Sequence, residues 1–382
     1  MTTGLDFELT DEQRMLREAV REFVREQVAP SAEERDRTGA FPYDAVGSLG
    51  RLGLMGVPFP TDYGGGGADM LSLAIVIEEL ARVDCSLAIT VAAHTSLGTM
   101  PIYLWGTPAQ KDEWLPDLCS GRKLAAYGLS EPEAGSDAGN TKTTAELVDG
   151  RWVINGNKVF ITNPGTDISG CVTITAVTDG KREISNIIVP AGTPGYDVGP
   201  PYRKMGWHSS DTRPLAFVDC RVPQENLLGR RGGGFRQFMK VLEAGRIGVA
   251  AIGVGLAQGA LDEAVAYAKE RHAFGQPIAK FQAIQTKIAD ISTHVAAARM
   301  LTHRAAVKSD RGELFQLEAA QAKLFAGRTA VRAAEEAVQI HGGYGFIEEY
   351  PVARFYRDAK ILTIGEGTDE VLQMLIAKQL GC

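Results

Sequence analysis

The period of the hydrophobic residues changes twice along this 382-residue chain, and this change limits its fold more than any other feature. Between about residues 125 and 229, short runs rich in β-branched residues alternate apolar with polar positions, for example in residues 172–177. The flanking zones instead repeat apolar residues at helical spacing. Because a period of 2 is typical of strands and one near 3.6 of helices, we expect a multidomain α+β protein. Its predicted parts are an N-terminal α-helical domain (1–124), a central small β-barrel or sandwich domain (125–231) and a C-terminal helical bundle (232–382).

Local signals support this division. Thr10 followed by Gln13 is typical of a helix start. An Asp-Gly pair at 149–150 stands between two strand-like runs and strongly favours a β-hairpin. Gly253-Val254-Gly255 lies in a helical stretch and lacks the spacing of a dinucleotide-binding fingerprint. A stripe of apolar residues predicts one long helix, and its members are Phe281, Ile284, Ile288, Ile291, Val295, Ala298 and Leu301.

Composition argues against several classes of protein. A formal net charge of -7 and the lack of a Lys/Arg run argue against a nucleic-acid partner. The five cysteines are scattered without a C-x-x-C pair, and His341 has no metal-like partners in sequence, so we expect neither disulfides nor a metal site. The first fourteen residues are polar, and no uninterrupted apolar stretch reaches membrane-span length. The chain is therefore expected to be cytoplasmic, with no membrane partner.

Glu366 is the candidate catalytic residue. It stands between Gly365 and Gly367, just before a helix-like run that Thr368 can cap. The two glycines permit close approach of backbone to a ligand and leave little bulk beside the carboxylate. A carboxylate in so apolar a setting would have a raised pKa and could serve as a general base. The alternative, which these five residues alone favour, is a loop glutamate that faces water.

Two further segments suit a planar ligand. The segment 127–137 mixes turn formers with hydroxyl groups and can form hydrogen bonds to a polar ring edge, although a surface linker has the same composition. Phe160 and Thr162 are two residues apart, so they share a face if the segment is a strand. One side chain could then stack on a ring while the other donates a hydrogen bond, and the alternative is a plain strand end.

These segments, in this order, resemble the acyl-CoA dehydrogenase family, and the short-chain-type and broad bacterial members resemble them most. The resemblance covers nearly the whole chain and rests on KMGW at 204–207, FVDCRVP at 217–223, GRIGVA at 245–250, ERHAFG at 270–275, QIHGGYG at 339–345, YRDA at 356–359 and GEGT at 365–368. It implies an FAD enzyme with a C-terminal four-helix bundle, usually a homotetramer. It also implies conversion of an acyl-CoA thioester to trans-2-enoyl-CoA, with electrons passed to an electron-transferring flavoprotein.

The resemblance also implies roles for individual residues. Glu366 would abstract the α-proton while the β-hydrogen leaves as hydride to flavin N5. Some relatives carry the base at the position of Gly245, which cannot act as one, and Glu243 is kept as a weaker candidate. Substrate contacts would be Ser136, Glu243, Arg246, Gly365 and Gly367. FAD contacts would be Tyr127, Leu129, Ser130, Phe160, Thr162, Arg271, Phe274, Gln282, Gln339, Gly342, Gly343, Thr368 and Glu370, of which Arg271 and Phe274 would reach the FAD of a neighbouring subunit.

Departures from the family pattern bear on the substrate. Gly365 replaces a common Tyr, which predicts a larger acyl pocket and tolerance of longer, branched or bulkier groups than butyryl. Phe160 stands where many relatives have Trp, and Gln373 where Arg is common. The alternatives are a flavin oxidase or monooxygenase of the same fold, a dehydrogenase of acyl carrier protein substrates, a non-catalytic flavin-binding helical protein, and a helical scaffold without ligand.

Overall fold

The structure is a computed structural model that describes residues 8–179 and 183–382, so the expectations for residues 1–7 lie outside the described residues. The N-terminal domain is helical, as predicted. Its first helix begins where expected, because Thr10 and Gln13 form a capping box in which each side chain accepts from the other's backbone N–H. The helices are α1 (Asp11–Phe23), α2 (Ala29–Thr38), α3 (Tyr43–Arg51), α4 (Met70–Ala81), α5 (Cys85–Ala92), α6 (Met100–Trp105) and α7 (Pro108–Cys119), with π-helical turns at Val24–Val28 and Ala93–Thr99.

The middle domain is a mixed eight-stranded sheet. Its strands are β1 (Leu124–Gly128), β2 (Thr144–Val148), β3 (Arg151–Thr162), β4 (Ser169–Val177), β5 (Ile184–Pro190), β6 (Tyr196–Val198), β7 (Thr212–Pro223) and β8 (Leu227–Leu228). Seven of them pair in the order β6-β7-β3-β2-β4-β5-β8, and β1 is parallel to β4. The predicted hairpin joins β2 to β3, and both Asp149 and Gly150 have positive φ, as a tight hairpin turn of this kind requires.

The C-terminal domain consists of long helices, and the predicted apolar stripe lies on one of them. The elements are α8 (Gly234–Glu270), a small hairpin of β9 (His272–Ala273) and β10 (Gln276–Pro277), α9 (Gln282–Asp310), α10 (Gln316–His341), α11 (Pro351–Ala359) and α12 (Asp369–Gln379). The predicted bundle is thus built from three long helices, α8, α9 and α10, and the shorter α11 and α12 pack on α10. The three-domain fold class is confirmed.

The two helical domains share one hydrophobic core, whereas the β domain has its own. Buried residues of α4 and α5 belong to the same cluster as those of α8 and α10. Gly255 on α8 allows this close approach, since an added Cβ would lie 2.2 Å from the carbonyl oxygen of Glu78 on α4. The core of the sheet is a separate cluster that includes Trp152, Ile174 and Phe217.

Two helical stretches are long and apolar enough to span a membrane by length and composition, although polar residues interrupt the apolar run in each. They are Cys85–Trp105, which includes the second π-helical turn, and Gly234–Glu270. Their most apolar windows are 83% and 94% buried inside the protein, and buried core helices pass the same test of length and composition. Among residues 8–179 and 183–382, no group of three or more His, Cys, Asp or Glu side chains is placed to hold a metal ion.

Candidate active site

Glu366 lies in a tight loop between the 3₁₀ turn Lys360–Thr363 and helix α12. Its φ of 56° is in the left-handed region, and the next residue, Gly367, has a φ of 97°. A non-glycine residue in this region is strained by about 1–2 kcal/mol, so the surrounding structure must hold the loop. One support is Thr368, whose hydroxyl accepts a hydrogen bond from Val371 N and so caps α12.

The carboxylate of Glu366 is withdrawn from water although parts of the residue are accessible. Its Oε2 atom is buried and has no hydrogen-bond partner. Burial raises the pKa of this carboxyl to about 7, while the nearby cations Arg246 and Lys323 lower it only in part. A group that titrates close to neutral pH can both accept and release a proton, which is the property that the sequence predicted for a general base.

The wall beside the carboxylate is formed by α8 and by the π-helical turn Ala93–Thr99. A Cβ added at Gly245 would lie 2.8 Å from Glu366 Oε2 and 3.0 Å from Leu97 Cδ2. The position at which some relatives carry their base therefore faces Glu366 directly, and glycine there leaves the room that the carboxylate occupies. π-Helical turns inside helices are frequent at functional sites, and this one also packs through Gly98 against Ala125 of β1.

Glu243 and Arg246 lie on α8 near the same site. Glu243 forms an ion pair with Lys240, with 3.1 Å between Oε2 and Nζ. Arg246 is buried, and its Nε and Nη1 atoms have no hydrogen-bond partner. Because Glu243 has a cation of its own and Glu366 has an unpartnered oxygen, the geometry favours Glu366 over Glu243 as the base.

A second patch lies where β3 meets the segment after β1. Val159 N donates to Ser130 O at 2.9 Å, which places Leu129 and Ser130 beside Phe160 and Thr162. The Phe160 ring is 69% exposed, its φ is 60°, and a β-bulge interrupts the pairing of β3 with β7 at this point. The bulge turns Phe160 outward although Lys158, two residues earlier, is fully buried. An exposed ring beside hydroxyl groups fits the edge of a flavin.

The ring of Tyr127, a predicted FAD contact, is turned into the middle domain. Its side chain is buried, and the hydroxyl donates to Asn186 Oδ1 at 3.1 Å. The ring therefore serves the core of the domain, and contact with a flavin through this side chain is not supported.

Three other residues that the sequence singled out, Ser136, Glu370 and Gln373, are exposed at the surface.

A separate, exposed surface carries six of the other predicted FAD contacts, namely Arg271, Phe274, Gln282, Gln339, Gly342 and Gly343. The guanidinium of Arg271 lies 5.6 Å from the centre of the Tyr344 ring, next to Gly342 and Gly343. Phe274, 96% exposed, lies near the start of α9, where Gln282 is also exposed, and Gln339 is at the end of α10. Roughly 27 Å of helix α10 separate this end from the part near Glu366. Within one chain, this surface thus lies far from Thr368 and Glu370, the predicted FAD contacts that follow Glu366.

Sequence reasoning missed two buried lysines. Lys158 Nζ lies 2.7 Å from Glu131 Oε1 and so ties β3 to the segment that carries Ser130. Lys323 Nζ donates to Gly367 O at 2.6 Å, directly beside the Glu366 loop. Neither lysine has a distinctive local sequence signal, because in each case the partner is far away along the chain.

The helix–sheet–helix order of the fold is that of acyl-CoA dehydrogenases. Three family models match in sequence: the acyl-CoA dehydrogenase N-terminal domain at residues 10–122, the middle domain at 126–220 and the C-terminal domain at 232–381. A probable acyl-CoA dehydrogenase of Bacillus subtilis (strain 168), YngJ, is 49% identical over 380 residues, which are 98% of this chain and 100% of that protein. The chain therefore belongs to the acyl-CoA dehydrogenase family, and it is an oxidoreductase.

Solved structures agree with this assignment. Butyryl-CoA dehydrogenase from Megasphaera elsdenii has a TM-score of 0.96 and 44% identity, with 99% of this chain and 100% of that chain covered. A chain in the structure of the electron-transferring flavoprotein of Acidaminococcus fermentans has a TM-score of 0.96 and 42% identity, with 98% of this chain and 99% of that chain covered. Acyl-CoA dehydrogenase from Bacillus anthracis, complexed with FAD, has a TM-score of 0.92 and 34% identity, with 98% of this chain and 67% of that chain covered. The predictions of the family, the enzyme class and FAD as cofactor are confirmed.

Proposed function

We propose that this enzyme converts an acyl-CoA thioester to the trans-2-enoyl-CoA, with Glu366 as the base that removes the α-proton. The buried, unpartnered Oε2 atom of Glu366 carries this proposal, since a carboxyl with a pKa of about 7 can take a proton near neutral pH. When bound, FAD supplies the acceptor for the β-hydrogen and its two electrons. The proton on Glu366 and the hydride on the cofactor together balance the new carbon–carbon double bond.

The chain's own groups prepare this step. Arg246 and Lys323 place two positive charges near the carboxylate, which favours its ionised form before the proton is taken. Leu97 forms an apolar wall on one side of the carboxylate, and the small Gly245 leaves the room that the carboxylate occupies. The backbone amide of Glu366 is proposed, by family resemblance, as a donor to the thioester carbonyl, which would acidify the α-proton.

We further propose that FAD binds between two subunits of a homotetramer. The flavin edge would lie on the patch of Leu129, Ser130, Phe160 and Thr162. The pyrophosphate and adenosine parts would meet the exposed surface around Arg271 of a neighbouring subunit. Phe274 supports this arrangement, because a ring that is 96% exposed in one chain is expected to be covered in an assembly. Arginine is suited to the pyrophosphate, since its fork matches phosphate oxygens.

The substrate range is expected to exceed that of a strict butyryl-CoA dehydrogenase. Relatives named short-chain specific support a fatty acyl-CoA, but Gly365 has only Ile361 atoms near the place of a side chain, at 3.6 Å and 3.9 Å. A side chain can therefore start at this position without a close contact, and its absence is expected to leave space beside the base. We expect Gly365→Tyr to narrow the range toward short, unbranched chains, and strict preference of the wild type for butyryl-CoA would contradict this.

An electron-transferring flavoprotein is the proposed electron acceptor, in a fatty acid β-oxidation pathway. The similarity to a chain in the structure of such a flavoprotein supports this partner. The proposed location is the cytoplasm, which the free thiols of all five cysteines support, since reducing compartments keep cysteines unpaired.

The test is anaerobic titration of the purified FAD enzyme with acyl-CoAs of varied length and branching, for the wild type and for Glu366→Gln. We expect the visible flavin absorbance to bleach with one substrate class in the wild type and to persist in the variant. The variant keeps the shape of the side chain and serves as the matched control. Bound flavin that no acyl-CoA bleaches would contradict the proposal and would favour a carrier-protein substrate. Rapid reoxidation by air after bleaching would instead favour an oxidase.

A further inference from the structure

Lys323 on α10 is a buried cation with an unusual partner. Its side chain is fully buried, and Gly367 O, at 2.6 Å, is the hydrogen-bond acceptor of its ammonium group in the described part of the chain. Lys158, the second lysine that is fully buried among residues 8–179 and 183–382, instead meets the carboxylate of Glu131 at 2.7 Å. A buried charge destabilises the folded protein unless a partner compensates it, so the burial of a lysine whose ammonium group is bound by one backbone carbonyl needs an explanation.

The Gly367 carbonyl belongs to the strained part of the catalytic loop. Glu366 and Gly367 both have positive φ, so the peptide between Gly367 and Thr368 is reached through two left-handed residues in succession. A hydrogen bond from a charged donor is roughly twice as strong as a neutral one. Lys323 therefore holds the loop from the side of α10, while the Thr368 cap holds it from the side of α12.

We propose that Lys323 is a positioning residue for the reaction: it clamps the Gly367 carbonyl, fixing the Glu366 loop, and its positive charge favours the ionised carboxylate. The role in the reaction rests on the proposed function of Glu366, whereas the clamp is a property of the fold alone. Lys323 acts through Glu366 and its loop, and it is not a group that touches the reacting atoms.

Other charges also face these two groups. Arg246 from α8 acts on Glu366 in the same direction as Lys323, so one cation remains after Lys323 is removed. Burial lowers the pKa of Lys323 to about 8, against the effect of Asp369, Glu366 and Glu370, while Arg246 lowers it further. Below pH 8 the lysine is therefore predominantly charged, and its removal raises the pKa of Glu366.

The first measurement is the rate of anaerobic flavin reduction by a saturating acyl-CoA, from pH 5.5 to pH 9, in the FAD enzyme. In Lys323→Met the midpoint of the profile should move to higher pH, while Lys323→Arg should stay close to the wild type. For every pH unit by which the midpoint moves up, the rate at pH values below the midpoint should fall about tenfold, whereas the rate at high pH changes less. Lys323→Gln, which also lacks the charge, replaces the Met variant if the latter does not fold.

The second measurement is amide hydrogen exchange of the peptide that covers residues 361–372. Loss of the clamp should speed exchange in this peptide in Lys323→Met and leave the β domain unchanged. Lys308→Met is the matched control, because Lys308 pairs with Glu318 near the start of α10 and faces neither Glu366 nor Gly367. This control should keep the wild-type pH profile and the wild-type exchange of residues 361–372.

The outcomes separate the two proposals. If the wild-type flavin is reduced normally and the uncharged variant keeps both its pH profile and its loop exchange, the assignment of Lys323 is wrong. If no acyl-CoA reduces the wild-type flavin, the proposed function fails, and the role of Lys323 in the reaction fails with it. Unchanged exchange of residues 361–372 would by itself overturn the clamp.

Discussion

Replacement of Gly245 by alanine probes the geometry of the carboxylate of Glu366, the proposed base. The new Cβ would lie 2.8 Å from Glu366 Oε2, and ordinary contacts begin at 3.4 Å, so the carboxylate oxygen must move by about 0.6 Å, the difference between these distances. A misplacement of reacting groups by about 1 Å can cost on the order of 100-fold in rate. For this smaller shift we expect a loss of roughly tenfold in the rate of flavin reduction.

The fold should tolerate the same change. The atoms that the new methyl group would meet, Glu366 Oε2 and Leu97 Cδ2, are the ends of flexible side chains. Alanine is also favoured over glycine inside a helix by about 0.5–1 kcal/mol. We therefore expect Gly245→Ala to keep or slightly raise Tm while it loses activity, so that the loss is one of geometry and not of folding.

Gly248→Ala is the matched control. It lies one turn further along α8, and its new Cβ would meet Ala92 and Ile77 at 3.5 Å, which is an ordinary contact. The assay is stopped-flow anaerobic reduction by a saturating acyl-CoA, together with thermal unfolding of both variants. If Gly245→Ala reduces its flavin as fast as Gly248→Ala, the observed position of the carboxylate is not the one that reacts, and the reasoning is refuted.

Three further predictions follow from the buried charges. The rate of wild-type flavin reduction should rise about tenfold per pH unit below pH 7 and level off above pH 7, because Glu366 must lose its proton before it can act as a base. A rate that stays constant from about pH 5.5 to pH 9 would exclude Glu366 as the base. The folded protein binds that proton more tightly than the unfolded chain, so stability decreases as pH rises from 4.5 to 7, by at most about 3 kcal/mol. Glu366→Gln should therefore be more stable than the wild type at pH 8 but not at pH 4.5, as measured by thermal unfolding at the two pH values. The same difference in Tm between variant and wild type at both pH values would contradict this. Lys158→Met should lower the free energy of unfolding, measured with denaturant, by about 3–5 kcal/mol, because it leaves Glu131 buried without its cation. The double variant Lys158→Met/Glu131→Gln should lose less free energy of unfolding than the sum of the losses in the two single variants.

The candidate site was predictable in part. The sequence located Glu366, Arg246 and the Phe160 segment through the family motifs, and the structure places the first two near each other. It did not indicate that the Tyr127 ring turns into the core or that a β-bulge in β3 turns the Phe160 side chain outward. These features depend on the pairing of β3 with β7 and on the packing of β1 against β4, which local residue patterns do not specify.

The sequence by itself determined the elements of this protein and their order. The Asp149-Gly150 turn, the capping box at Thr10 and the apolar stripe of α9 are each encoded by residues within a few positions of one another. Only the tertiary structure decided that the two helical domains share one core, that Gly245 faces Glu366 and that Lys323 reaches Gly367. The physical reason is that backbone preference and hydrophobic period are local properties, whereas these contacts join residues far apart in the chain and arise only when all the helices pack together.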